Sequence, residues 1–403
     1  MQYDVIVIGG GPSGSTSANL LAQGGARVLV LERERFPRFH IGESLLPADL
    51  EVFERLGVSF EGHPRHLLKQ GAEMYIEAEG LHTVYPFQDS LEGTRQYAYQ
   101  VERAAFDTDL LRRAEALGAE VHEGERVVDV ELGADAVAVI TDAGRYEARY
   151  LIDASGQDSF FARRNGTRRK IDEFGLAGVF KHFEDLKPEV AEELASTGNI
   201  KILFVDEGWC WAIPLGSGRL SVGFVTRRKG ITKAWIDEEI AKSPVLSRLV
   251  DGARCELPAT LISSFSFHNE RPHGPRWVCV GDAACFLDPV FSSGVSFGML
   301  CAAHAVDALL PALAAGTEGE PHLMAEHTAH MTHGYTIFAT LILSLYQRRL
   351  LPRLFFTESQ DSELRKGLTT VLAGDVWRDD NPFQNMLATS GRRRYELRVL
   401  PPE

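Results

Sequence analysis

Three short segments carry residue types that can do chemistry at a controlled place. Residues 286–294 read Phe-Leu-Asp-Pro-Val-Phe-Ser-Ser-Gly. A glycine-containing turn after a strand end exposes backbone N–H groups, and where it opens a helix it can hold an anion. Residues 209–214 read Trp-Cys-Trp-Ala-Ile-Pro. Side chains two apart on a strand share a face, so Trp209 and Trp211 make one aromatic surface. Packing is the commoner fate of aromatics at that spacing. Ser292 and Ser293 can equally cap the helix that follows, a role compatible with an anion at the same N-terminus. The third segment is Lys69-Gln-Gly-Ala72. Alone, Lys69 reads as a solvent-facing lysine; as an amine nucleophile it needs burial and a lowered pKa.

These segments need a scaffold, and the chain opens with one. Asp4–Ile8 is a continuous apolar run, as expected of a buried parallel strand. Gly9-x-Gly11-Pro12-Ser13-Gly14 follows, then a helix to about residue 22, then a strand from Arg27 to Leu31 ending at Glu32. Strand, glycine turn, helix, strand and acid in register form the complete dinucleotide fingerprint. Gly9 makes the tight turn, Gly11 lets backbone approach a pyrophosphate, and Gly14 lets helix pack on strand. Glu32 is placed to accept hydrogen bonds from a ribose, with Arg33 beside it. Further on, 101–118 reads as an amphipathic helix and 120–148 as short alternating strands. Between 176 and 264 the alternation predicts a mostly antiparallel sheet. A buried strand ends at Gly281-Asp282, a long helix spans 295–314, and helices follow from 321.

The predicted fold is α/β (α+β). A discontinuous nucleotide-binding domain with a parallel sheet takes 1–75, 100–175 and 265–330. A substrate-side sheet takes 76–99 and 176–264, and a helical cap takes 331–403. The net charge of −14 argues against nucleic-acid binding. The five cysteines (Cys210, Cys255, Cys279, Cys285, Cys301) form no C-x-x-C pair, so no metal is expected. Their apolar surroundings suggest reduced core thiols in a cytoplasmic protein. The apolar stretch at 335–346 is too short to span a bilayer, and no membrane association is expected. Arg392, Arg393, Arg394 and Arg398 form a basic cluster that reads as a solvated tail or a docking surface.

The layout resembles the flavoprotein monooxygenase superfamily over nearly the whole chain. The resemblance rests on the Gly9–Gly14 fingerprint, on Gln100-Val-Glu-Arg103 with Phe106-Asp107, and on Gly281-Asp282. It implies FAD as cofactor, with Asp282 on the ribityl chain and Arg103 near the phosphates. Within the superfamily the chain resembles the flavin-dependent halogenases. Trp209-x-Trp211-x-Ile213-Pro214 matches their tryptophan motif and Phe286-x-x-Pro289-x-x-Ser292-x-Gly294 their second fingerprint, while Lys69 sits where they carry a catalytic lysine. The Phe36–Pro47 loop, Ser292–Ser296 and Ala373–Trp377 resemble the subgroup acting on aromatic acyl groups tethered to carrier proteins.

The resemblance implies a reaction. Reduced flavin and oxygen give a hydroperoxide, and chloride or bromide attacks it to give hypohalous acid. Backbone N–H groups at Ser293 and Gly294 would hold the halide, and Gly294 would also touch the flavin. Lys69 would pass the halogen to an electron-rich pyrrole or phenol, free or bound to an acyl or peptidyl carrier protein. The tryptophan pair would wall the flavin from the substrate. There is one nucleotide fingerprint, and Asp158 is followed by Ser where single-component hydroxylases have Asp-Gly. FADH2 is therefore expected from a separate flavin reductase, in a secondary-metabolite pathway. The rival readings are an aromatic hydroxylase, an FAD-dependent prenyl reductase and a catalytically silent flavin-binding partner.

Overall fold

The structure is a computed structural model that describes residues 2–347, 355–356, 362–389 and 395–401. Its first sheet grows from the fingerprint. The strand Tyr3–Ile8 pairs in parallel with Val28–Glu32 on one side and Arg145–Asp153 on the other. Glu120–Glu123 and Trp277–Cys279 extend it in parallel outward. Val5, Ile6, Val7, Leu29 and Val30 are fully buried, which is why this sheet reads as continuous apolar runs and not as alternation. The helix Pro12–Gln23, called the phosphate helix below, packs between the helix Arg103–Ala116 and a long helix Ser293–Ala315. The long helix is, among the described residues, the one helix long and apolar enough to cross a bilayer. Its apolar character is accounted for by core packing, since Phe297, Met299, Ala302, Val306 and Leu309 are buried.

The second sheet has seven strands, in the order Arg254–Ser263, Ala177–Glu184, Arg219–Thr226, Gly208–Leu215, Ile200–Val205, Gly71–Ile76 and Leu81–Pro86. Every neighbour pair is antiparallel except Ile200–Val205 with Gly71–Ile76. The domain boundary expected after residue 75 therefore falls inside a strand, and this sheet begins at Gly71. A separate two-stranded ladder joins His66–Lys69 to Ala98–Val101 at the junction of the two halves. One continuous apolar core runs beneath both halves. The helices Ala325–Tyr346, Ser362–Leu372 and Pro382–Thr389 close one side.

Two expectations need correction or restriction. Four of the cysteines are buried as anticipated, but Cys255 is exposed, because it sits near the start of the sheet's edge strand Arg254–Ser263. Arg392, Arg393 and Arg394 lie outside the described residues. Arg398 is described and is exposed.

Candidate active site

The cofactor end is built by close backbone approach. Gly9 has φ +97°, and a Cβ there would lie 2.5 Å from the Ala154 carbonyl oxygen. A Cβ on Gly14 would lie 1.9 Å from the Gly9 oxygen, so both positions require glycine. Gly11 is different. The nearest atom to a Cβ there is Arg38 Nη2 at 3.5 Å, which leaves space over the turn. The phosphate helix starts at Pro12 with no side chain capping it, so its first N–H groups remain available to an anion. Ser13 faces inward to the Gly281 and Gly298 positions, where its Oγ would lie 2.2 and 2.5 Å from an added Cβ. Three small side chains thus let the phosphate helix, the Gly281–Asp282 turn and the long helix meet.

Glu32 closes the fingerprint. Its Oε2 accepts from Gly10 N at 2.7 Å and its Oε1 from Glu34 N at 2.8 Å, fixing the turn and leaving lone pairs for hydroxyl donors. Arg33 is partly exposed and pairs with Asp158. Arg103 is buried, holds Asp107 through Nε and Nη2 at 2.7 and 2.9 Å, and donates to the Ile41 carbonyl at 2.7 Å. It therefore anchors the Phe36–Pro47 loop. Asp282 accepts from Gln157 Nε2 at 3.1 Å, and burial pushes its carboxyl up to about 6. The open face over Gly11, the uncapped helix start and this carboxylate fit a dinucleotide cofactor whose hydroxyls bond the acid.

The turn that opens the long helix begins at Ser292, held in the left-handed region at φ +58°. Ser293 is the first residue of the long helix and is buried, and no side chain caps the helix. The Phe286 ring lies against Gly294, where a Cβ would stand 3.1 Å away. Uncapped N–H groups beside an aromatic ring suit a weakly hydrated anion. Trp209 and Trp211 lie on one face of Gly208–Leu215, with ring centroids 5.7 Å apart. Both are buried. Gly223 on the neighbouring strand makes room, since a Cβ there would stand 2.2 Å from the Trp211 ring. Trp211 Nε1 donates to Ser221 Oγ at 3.1 Å.

Asp288 ties these parts together. Its Oδ1 accepts from Trp209 Nε1 at 2.9 Å and Val290 N at 3.2 Å. Its Oδ2 accepts from Tyr346 Oη at 2.6 Å and Gly175 N at 3.1 Å. Burial raises the carboxyl to about 6, while the four donors pull the other way. Sequence reasoning passed over this residue, although an Asp before a Pro is a capping signal at a turn start.

Lys69 ends the strand His66–Lys69 and is only 1 % exposed. Its Nζ donates to Ser44 Oγ at 2.9 Å and to the Leu45 carbonyl at 2.8 Å. Burial pushes the amine down to about 7, and Asp49 opposes that shift. A neutral amine has two N–H bonds and one lone pair. The two acceptors use both N–H bonds and leave the lone pair free, whereas the third N–H of an ammonium would meet only the Phe87 ring, whose centroid lies 5.3 Å from Nζ. The same loop reaches the halide turn: Leu46 N donates to Ser296 Oγ at 3.2 Å, and Ser296 Oγ donates to Asp49 at 2.6 Å. The loop that holds Lys69 and the tryptophan strand therefore both bond to residues 288–296. Ser44, Leu45 and Ser296 lie in segments the motifs flagged and Asp49 does not, but their meeting with Lys69 and with one another depends on tertiary packing and left no signal.

Comparison with known proteins gives the family. The family model described as tryptophan halogenase matches residues 4–74 and 71–378. The chain is similar to a 1H-pyrrole-2-carbonyl-[peptidyl-carrier protein] chlorinase of Pseudomonas fluorescens, 30% identical over 93% of this chain and 90% of that protein. It is 28% identical to the corresponding brominase of Pseudoalteromonas luteoviolacea, over 98% of each. Among solved structures, the flavin-dependent brominase Bmp2 superposes with a TM-score of 0.84 at 27% identity, covering 97% of this chain and 98% of that one. The myxobacterial chondrochloren halogenase CndH gives 0.78 at 30% identity, covering 95% and 92%. The fingerprint, the anion turn and these relatives identify FAD as the cofactor, halide as a substrate and aromatic halogenation as the reaction. The chain belongs to the flavin-dependent halogenases.

Proposed function

We propose that this enzyme is the halogenating half of a two-component system acting on a pyrrole or phenol ring carried by an acyl or peptidyl carrier protein. Reduced FAD, when bound, supplies the two-electron activation of oxygen that converts halide to hypohalous acid. The N–H groups of Ser293 and Gly294 hold the halide, and Trp209 and Trp211 separate the flavin face from the substrate. Lys69 either hydrogen-bonds the hypohalous acid or attacks its halogen with the free lone pair, breaking the O–halogen bond so that hydroxide leaves with an amine proton as water; the ring then takes the halogen as the N–halogen bond breaks and loses its own proton, restoring the amine. Gly9, Gly11, Pro12, Ser13 and Gly14 hold the pyrophosphate, with Glu32, Arg33, Arg103 and Asp282 around the rest of the cofactor. The observation that carries this reading is the buried amine of Lys69, held by Ser44 and Leu45, pushed down by burial to about 7, and joined through residues 44–46 to the anion turn. Support for the tethered substrate comes from relatives named for pyrrole-2-carbonyl groups on peptidyl carrier proteins.

The test supplies FAD, a flavin reductase, NADH and oxygen, with catalase present, with and without bromide. Two acceptors are compared by mass spectrometry, a free electron-rich phenol and a pyrrole-2-carbonyl carrier protein. Bromide-dependent product that is greater on the carrier and lost in Lys69→Ala is the expected result. Product that survives Lys69→Ala means leaked hypobromite and removes the lysine's role. Equal or better turnover of the free phenol removes the carrier.

A further inference from the structure

Away from the halogenating site, the turn His63-Pro-Arg-His66 leads into the strand that ends at Lys69. Arg65 N donates to His63 Nδ1 at 3.2 Å, which orients the ring and leaves Nε2 facing Asp109 Oδ2 at 3.6 Å. Asp109 projects from the helix Arg103–Ala116. His66 is 8 % exposed, with its ring 4.1 Å from that of His63 and packed edge-on against Phe60. Neither His66 ring nitrogen makes a hydrogen bond of acceptable geometry, although the Arg65 backbone lies close. A buried imidazole normally finds a partner for its polar nitrogens. One donor atom from each of His63, His66 and Asp109 lies within 4.8 Å of the other two.

We propose that His63, His66 and Asp109 bind a divalent transition-metal ion of the zinc class. Two imidazoles and a carboxylate are the donor set such ions favour. Tetrahedral contacts at about 2.0–2.1 Å set ligand atoms about 3.4 Å apart; binding therefore opens the near-parallel stack of the two rings, now at 17°, so that their in-plane lone pairs meet the ion, and a water takes the fourth position. The ion joins the segment leading to Lys69 to the helix that begins at Arg103. Its role is that of a clamp between two elements carrying candidate site residues, and it takes no part in the chemistry. The cysteine pairs that would flag a metal in the sequence are not involved.

The full-length protein is stripped with chelator, then titrated with Co2+ and Zn2+. The visible bands of tetrahedral Co2+, the binding isotherm and the melting temperature are read together. Asp109→Ala and His63→Ala alter side chains that are at least partly exposed, so they test the site without opening the core. Each is expected to weaken binding by more than the roughly 10-fold that losing even an outer partner costs, and to abolish metal-dependent thermal stabilisation. His304→Gln is the control, because His304, His327 and His330 form a second imidazole cluster. Binding that is absent from the wild type, persists in both variants, or disappears in His304→Gln overturns the proposal.

Discussion

Replacing Lys69 by Met separates what the amine costs the fold from what it contributes to the reaction. Met keeps the unbranched stem and removes the titrating group. The amine is moved from its ordinary 10.5 down to about 7 by burial. Between those values the unfolded chain holds a proton that the folded protein does not, so stability rises with pH across that window. Well below about 7 both states are protonated and the slope vanishes. At about 1.4 kcal/mol per pH unit, the buried amine disfavours folding by about 4 kcal/mol at pH 7 and about 2 kcal/mol at pH 9. Wild type should therefore gain about 2 kcal/mol on Lys69→Met between those two pH values. Loss of the bonds to Ser44 Oγ and Leu45 O costs the variant about 1–3 kcal/mol, a term that does not change with pH. Asp49, raised to about 6, titrates mainly below the window. Urea melts of both proteins without FAD at the two pH values give the comparison. Parallel pH dependences would refute the buried neutral amine. The same variant should bind FAD and make no halogenated product.

The remaining predictions concern the turn, the hub and the pH profile. Gly14→Ala places a Cβ 1.9 Å from the Gly9 oxygen and should reduce FAD affinity at least roughly 10-fold by opening the phosphate turn; unchanged flavin quenching would contradict the close packing. Trp209→Phe removes one donor from the buried Asp288 and should cost about 1–3 kcal/mol in urea melts. Asp288→Asn should cost more, since its NH2 group must face two of the four donors. The double variant should be less destabilised than the sum, because the singles share one bond; strict additivity would dissolve the hub. Halogenation rate should climb with pH through about 7 as the Lys69 amine loses its proton, and a profile flat across that range would mean that protonation of this lysine does not limit transfer.

How much of this was legible in the sequence follows the range of the interactions. The strand, turn, helix, strand and acid from Tyr3 to Glu32 are local in sequence, and the observed ends differ from expectation by a residue. The tryptophan strand was legible from its Trp-x-Trp motif, since Trp209 to Leu215 is a continuous buried apolar run without alternation. Gly71–Ile76 was missed as the start of the second sheet, because its partner Ile200–Val205 lies far along the chain and pairs with it in parallel. Lys69 was found by its position in a motif, but its acceptors were not, since a serine hydroxyl and a carbonyl in an irregular loop leave no pattern. Asp288 stood inside a recognised motif and was still passed over. Its four donors come from four places in the chain, and only Val290 is a sequence neighbour.

The meeting of Ser13, Gly281 and Gly298 bears on how such an enzyme can change its target. That contact leaves no room even for a methyl group, so it fixes how the phosphate helix sits on the long helix. The fingerprint turn and the long helix are thereby one rigid cassette. The second sheet and the closing helices hold equally tight contacts of their own, since a Cβ on Gly223 would stand 2.2 Å from the Trp211 ring and one on Gly334 2.6 Å from the Trp377 ring. Exchange therefore has to move whole units and not single positions. A chimera that exchanges the sheet and cap while keeping the cassette whole respects this division, whereas one cut through the long helix breaks it.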